Sequence, residues 1–246
     1  CRKHTFGGKI MVIGILGGMG SYATLDIFKR LLALFPAQKE WDRPRIVIDN
    51  NCTMPSRVVA ALYGTDRDKL VEQMSSSVRT LISAGCTHIF LACNTSHIFL
   101  DDVYKNVPEA KGKIIHIIET LAKDIKQNYD GNKIALIATE GTIETKIYQN
   151  FFEPHGIKIA SPTEETYHKI RGLIEAVKQN SLTEAHCLKF IDLIKSFGTK
   201  SIILGCTEFP VLYNTFKNQI DQTDLKIFDP LESTIQYLKQ QFLAEI

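Results

Sequence analysis

The sequence predicts an α/β protein of two pseudo-symmetric lobes, each a four-stranded, mainly parallel sheet flanked by helices, with the active site between them. Two observations carry this. Short β-branched runs alternate with longer amphipathic stretches, which is the signature of parallel strands joined by helices. The chain also repeats itself. Gly85, Ile89, Leu91 and Cys93 recur as Gly198, Ile202, Leu204 and Cys206, each 113 residues further on. Ile13-Gly14-Ile15-Leu16 matches Ile134-Ala135-Leu136-Ile137 at an offset of 121, continuing through Gly20/Gly141, Ser21/Thr142 and Thr24/Thr145. Two neighbouring offsets fit a duplication with one altered loop.

In chain order, the strand candidates are 11–16, 45–49, 88–92, 114–118, 133–138, 157–160, 201–205 and 225–228. Their near-continuous hydrophobicity suits strands buried on both faces of a parallel sheet. Helical periodicity occupies 67–84, 168–179, 182–197 and 231–244. The last of these is expected to return to the first lobe. The lobes are therefore 1–117 with 220–246, and 118–219. No linker is rich in Pro, Gly or Ser, so the lobes should pack closely.

Composition narrows the function. The 246 residues are 44% hydrophobic, enough to bury a core. Lys+Arg 29 against Asp+Glu 27 leaves a net charge of +2, without the basic excess of a nucleic-acid or anionic-membrane binder. No apolar run approaches the roughly 20 residues of a membrane span. Met11 reads as a native start, with residues 1–10 as an extension too glycine-broken for a signal peptide. The six cysteines, Cys1, Cys52, Cys86, Cys93, Cys187 and Cys206, contain no CxxC pair and read as free thiols in a reducing cytoplasm.

Two of these cysteines stand apart. Cys93, in Ala92-Cys93-Asn94-Thr95-Ser96-His97, and Cys206, in Gly205-Cys206-Thr207-Glu208-Phe209-Pro210, each end a predicted strand. Sites in parallel sheets form at the carboxyl ends of strands. A helix starting there would lower the thiol pKa through its positive end. Two opposed thiols, one ionised and one not, can take a proton from one face of a carbon and deliver one to the other. Such an exchange needs no cofactor if positioned donors stabilise the carbanion-like transition state.

The turn after the first strand runs Gly17-Gly18-Met19-Gly20-Ser21-Tyr22-Ala23-Thr24. It formally meets a dinucleotide fingerprint, but the acidic residue that ends the next predicted strand, Asp49, lies 31 residues beyond Gly18 instead of about 20. The alternative is an anion nest in which Met19, Gly20 and Ser21 aim donors at a carboxylate. Thr139, Gly141 and Thr142 are the equivalent donors of the second repeat. Arg57, in a turn after a predicted strand, offers a bidentate fork to a carboxylate. A Cys93–His97 nucleophile would leave Cys206 unexplained, and the spacing of Cys52, Cys86, Cys93 and His97 fits no common zinc pattern.

Together GGMGSYAT at 17–24, ACNTSH at 92–97 and GCTEFP at 205–210 resemble the aspartate/glutamate racemases, over essentially residues 11–246. The resemblance implies a cofactor-independent, PLP-independent isomerase with Cys93 and Cys206 as its acid/base thiols. By the same resemblance, Asn94, Thr95 and Thr207 lie where the family binds the amino acid's carboxylate and ammonium. Arg57 and Lys178 match cations that hold the substrate, and Glu208 matches a supporting residue beside the second thiol. Ser21 departs from the family, which commonly carries proline there. Both thiols being present speaks against the single-thiol decarboxylases of the superfamily.

The expected reaction is racemisation of aspartate first and glutamate second. An NAD-binding oxidoreductase and a non-catalytic acidic amino-acid-binding protein are the alternatives. The expected partners are a small acidic amino acid and a second copy of the chain, with no metal.

Overall fold

The computed structural model describes Thr5–Phe6 and residues 9–243. Cys1 lies outside them. The first lobe opens with an antiparallel ribbon of β1 (Thr5–Phe6) and β2 (Lys9–Ile10). It continues through β3 (Val12–Gly17), α1 (Ser21–Leu34), β4 (Arg45–Asn50), α2 (Arg57–Tyr63), α3 (Arg67–Ser83), β5 (His88–Leu91), α4 (Leu100–Asn106) and α5 (Ile117–Asn128). Its main sheet is parallel, in the order β4-β3-β5.

The second lobe comprises β6 (Lys133–Ile137), α6 (Glu140–Glu144), α7 (Ile147–Phe152), β7 (Lys158–Ala160), α8 (Glu164–Lys178), α9 (Glu184–Lys195), β8 (Ser201–Leu204), α10 (Glu208–Thr215), α11 (Lys217–Ile220) and β9 (Lys226–Phe228). Its sheet is parallel in the order β7-β6-β8-β9. The final helix, α12 (Pro230–Leu243), packs on α5 and α1 of the first lobe. In both lobes the first strand lies between the second and the third, as duplication requires.

One expected strand is nearly absent. The run 114–118 contributes a single parallel bridge, Ile114 to Ile89, where β9 stands in the other lobe. The first-lobe sheet therefore has three strands rather than four. The cause is local: the His116 ring accepts the Glu119 N–H at 3.2 Å and caps α5, whose Ile117, Ile118, Leu121, Ala122 and Ile125 form a buried stripe. Helical burial outweighs the β-branched preference of the run.

Strand side chains alternate between two apolar regions. Ile13 and Ile15 of β3, and Ile134 and Leu136 of β6, meet α1, α5, α7 and α12 in one core that spans both sheets. Leu16, Ile89 and Leu91 face a second cluster with α3 and α4, and Ala135, Ile137, Ile202 and Leu204 a third with α8 and α9. The lobes thus share a core on one side and meet at their strand ends on another. Among the described residues, no helix is long and apolar enough to cross a membrane.

Candidate active site

Cys93 and Cys206 each lie two residues beyond their strands, β5 and β8. The segments that follow them interlock. Thr207 Oγ1 donates to the Ala92 carbonyl at 3.1 Å. Thr95 Oγ1 lies 2.9 Å from both Thr139 Oγ1 and Thr142 Oγ1. The Tyr148 hydroxyl donates to Asn94 Oδ1 at 2.6 Å. The repeat therefore brings the two thiols to one place, close enough for the charge of Cys93 to count among the influences on Cys206.

The Cys206 thiol does not ionise as the helix-dipole argument expects. Sγ donates to Glu208 Oε2 at 2.8 Å, and Thr207 Oγ1 approaches the same oxygen at 3.4 Å. Burial pushes the thiol well above its ordinary value, and the Glu208 charge and hydrogen bond push it further. The dipole of α10 is outweighed because a carboxylate at hydrogen-bond distance carries a full charge, a helix end about half of one. Glu208 is itself raised by burial, against the lowering pull of Cys206, Lys178 and Arg57. Lys178, in the last turn of α8, pairs with Glu175 at 3.3 Å. Burial lowers its pKa, but Glu208, Glu175 and Cys206 together more than offset that.

Arg57 opens α2, and its guanidinium is docked on backbone. Nη2 donates to the Met19 carbonyl at 3.1 Å, and Nη1 to those of Pro55 at 3.0 Å and Met54 at 3.4 Å. Nε is buried without a partner. The fork expected to grip a carboxylate is thus partly committed to holding the glycine turn. Two further buried side-chain atoms here lack partners, Asn94 Nδ2 and Glu208 Oε1.

The glycine turn is filled by protein. Gly18 has φ +80°, and a Cβ there would fall 2.3 Å from the Asn51 carbonyl carbon. A Cβ on Gly20 would fall 2.2 Å from Glu208 Oε1. The close approach that a dinucleotide fingerprint reserves for a pyrophosphate is occupied by Asn51 and Glu208. Ser21 is exposed and accepts from Asn50 Nδ2 at 3.0 Å, which also reaches Cys52 Sγ at 3.3 Å. Asn50 and Cys52 join the rim of the site without having stood out in the sequence. Their stretch, which ends in Arg57, was the available signal.

His97 serves the backbone. Nδ1–H donates to the carbonyls of Cys93 (2.9 Å) and Asn94 (3.2 Å), and Nε2 accepts the Ile117 N–H at 3.5 Å. Burial, with His116 alongside, lowers its pKa to about 3. Both ring nitrogens are spent, so no Cys–His nucleophile forms. Cys86 and Cys187 are buried in the outer clusters. Among the described residues, no three His, Cys, Asp or Glu side chains are grouped to hold a metal ion. Tyr148 was missed: nothing in its sequence surroundings distinguishes it from a core aromatic.

These features define a class: a protein of two duplicated parallel sheets, with one strand-end thiol from each meeting among cations and hydroxyls. The chain belongs to the Asp/Glu/Hydantoin racemase family, whose model matches residues 16–238. That makes it an isomerase of the amino-acid racemase class. It is 25% identical over 227 residues to the broad specificity amino-acid racemase RacX of Bacillus subtilis, covering 87% of this chain and 92% of that one. It is 24% identical over 230 residues to a glutamate racemase of Lactobacillus acidophilus, covering 92% and 78%. Among solved structures, an aspartate racemase from Picrophilus torridus superposes with a TM-score of 0.77 at 24% identity, covering 94% of each chain, a likeness of fold.

Proposed function

We propose that this chain racemises an acidic amino acid, aspartate first and glutamate second, by cofactor-independent two-base proton transfer between Cys93 and Cys206. The observation that carries the reading is the convergence of two strand-end thiols from equivalent positions of the repeat, one of them held as a thiol by Glu208. In one direction the Cys93 thiolate removes the Cα proton while Cys206 delivers its own to the opposite face. In the other direction the roles exchange. In the direction that starts from the Cys206 thiolate, Glu208, which accepts the Cys206 hydrogen bond, takes up the thiol proton beforehand.

Charge complementarity supports the substrate class. Arg57 and Lys178 are positive and Glu208 is acidic, the inverse of a molecule with two carboxylates and one ammonium. The unpartnered atoms repeat the pattern: Arg57 Nε and Asn94 Nδ2 donate, and Glu208 Oε1 accepts. A buried polar group left unpaired costs about 1–3 kcal/mol, which a polar ligand would recover. Met19 and Gly20, Ser21 at the rim, and Thr95, Thr142 and Thr207 between the motifs complete the proposed binding set. The relatives include glutamate racemases and a broad-specificity enzyme, while the solved aspartate racemase matches both chains over nearly their full lengths.

The test is incubation of the purified, reduced protein with L-aspartate in D₂O and no added cofactor, following rotation by polarimetry and Cα deuterium by NMR. Inversion with one deuterium gained is expected. Cys93→Ala and Cys206→Ala should each slow it by about 10²–10⁴-fold. Absence of both inversion and exchange with aspartate and glutamate sinks the substrate assignment, and unchanged inversion in either variant sinks the two-thiol mechanism.

A further inference from the structure

Asn94 follows the first thiol directly and is buried, yet its amide is only half satisfied. Oδ1 accepts the Tyr148 hydroxyl at 2.6 Å, while Nδ2 has no partner. Tyr148 comes from α7 of the other lobe, is fully buried, and has its ring packed against Phe152 at 5.8 Å between centroids. A phenol clamped in a core on a short hydrogen bond is a rigid support.

The direction of that bond matters. Burial raises the Tyr148 pKa well above its ordinary value, with Asp229 and Cys206 adding to the rise, so the hydroxyl stays protonated. A protonated phenol donates to the amide oxygen and thereby turns the amide nitrogen away from itself. Nδ2 is left as a preset donor beside Cys93.

From this geometry we infer that Tyr148 is a positioning residue, holding the Asn94 amide so that Nδ2 donates to the substrate α-carboxylate as negative charge builds on it during Cα deprotonation. The inference rests on the racemase reading above and deepens it. Preset donors aimed at developing charge stabilise the transition state more than the ground state, because no reorientation is needed as the charge appears. Tyr148 itself touches no reacting atom. Its effect passes through Asn94, so it should appear in kcat more than in KM and should vanish once Asn94 is gone.

The experiment is a double-mutant cycle of Tyr148→Phe and Asn94→Ala, reading kcat and KM for L-aspartate by Cα deuterium exchange. Phe keeps the ring in the core and removes only the hydroxyl. Tyr148→Phe should lower kcat by about tenfold or more, with KM changed by less than about threefold. In the Asn94→Ala background it should add less than about a twofold loss. A second readout needs no turnover: the Asn94 side-chain amide resonance of ¹⁵N-labelled protein, assigned by its disappearance in Asn94→Ala, should shift in Tyr148→Phe. Unchanged kcat in Tyr148→Phe, or losses that multiply in the double variant, would overturn the inference. So would an unmoved Asn94 resonance, even if the wild type proves inactive on aspartate. That inactivity by itself would count against the substrate assignment alone.

Discussion

A thiol buried beside a carboxylate holds its proton more tightly than the same thiol in water. Cys206 shows this, because the Glu208 oxygen at 2.8 Å outweighs the helix end that would have drawn the proton off. The two-thiol exchange proposed above begins each cycle with one thiol protonated and would gain from such an arrangement. Glu208 is in turn kept in place by Gly20. Gly20→Ala puts a methyl group 2.2 Å from Glu208 Oε1, so the carboxylate must move and release Cys206. Racemisation of L-aspartate should fall by at least about tenfold in that variant, with the pH dependence of Cys206 alkylation shifted downward. Alkylation that follows the wild-type curve would show that Glu208 stays put. At this scale the two strand-end cysteines were legible, because each repeats in an equivalent setting. Tyr148 was not, since its partner lies 54 positions away in the chain.

Among the elements, the segment from His97 to α5 ties the first thiol to the core. His97 binds the carbonyls of Cys93 and Asn94 and also the first N–H of α5, and its ring meets that of His116 at 4.7 Å. Both rings are held neutral by burial, at about 3 for His97 and about 4 for His116. Unfolded histidines bind protons from about pH 6.5 downward, whereas these resist until much lower. Their stabilising effect is therefore complete above pH 6.5 and is lost as pH falls toward 4 and then 3. The urea midpoint should drop between pH 7 and 4, and drop less steeply in His97→Asn; parallel slopes would exclude His97 as a cause. The same segment explains the missing strand. Ile114 begins an extended run, but capping of α5 by His116 converts the rest into helix. Four isoleucines around one histidine cannot tell a strand from the start of a buried helix.

Over the whole molecule, the shared core and the interlocked strand ends oppose independent movement of the sheets. Unfolding by heat should be a single transition, with circular dichroism and calorimetry reporting the same midpoint. A ligand gripped by residues of both lobes stabilises that one unit. L-aspartate at about 100 times its dissociation constant should add about 2.7 kcal/mol, which raises the midpoint by several degrees for a chain of this length. L-asparagine, which lacks the second carboxylate, should raise it far less. Equal shifts for the two would remove Arg57 and Lys178 from side-chain recognition, and two separate transitions would contradict the common core.

By itself, the sequence determined the α/β class, the duplication, the two strand-end cysteines and the family. Periodicity and repetition are local or linear properties, and they survive without knowledge of contacts. Only the tertiary structure decided that Cys206 rests on Glu208, that Arg57 is partly bound to the Met19 turn, that His97 serves backbone carbonyls, and that Tyr148 reaches Asn94 from the other lobe. Each of these depends on which donor meets which acceptor across the two sheets. Desolvation on burial then sets the protonation states, and hydrophobic periodicity marks which face of an element is buried without marking which buried polar group meets which partner.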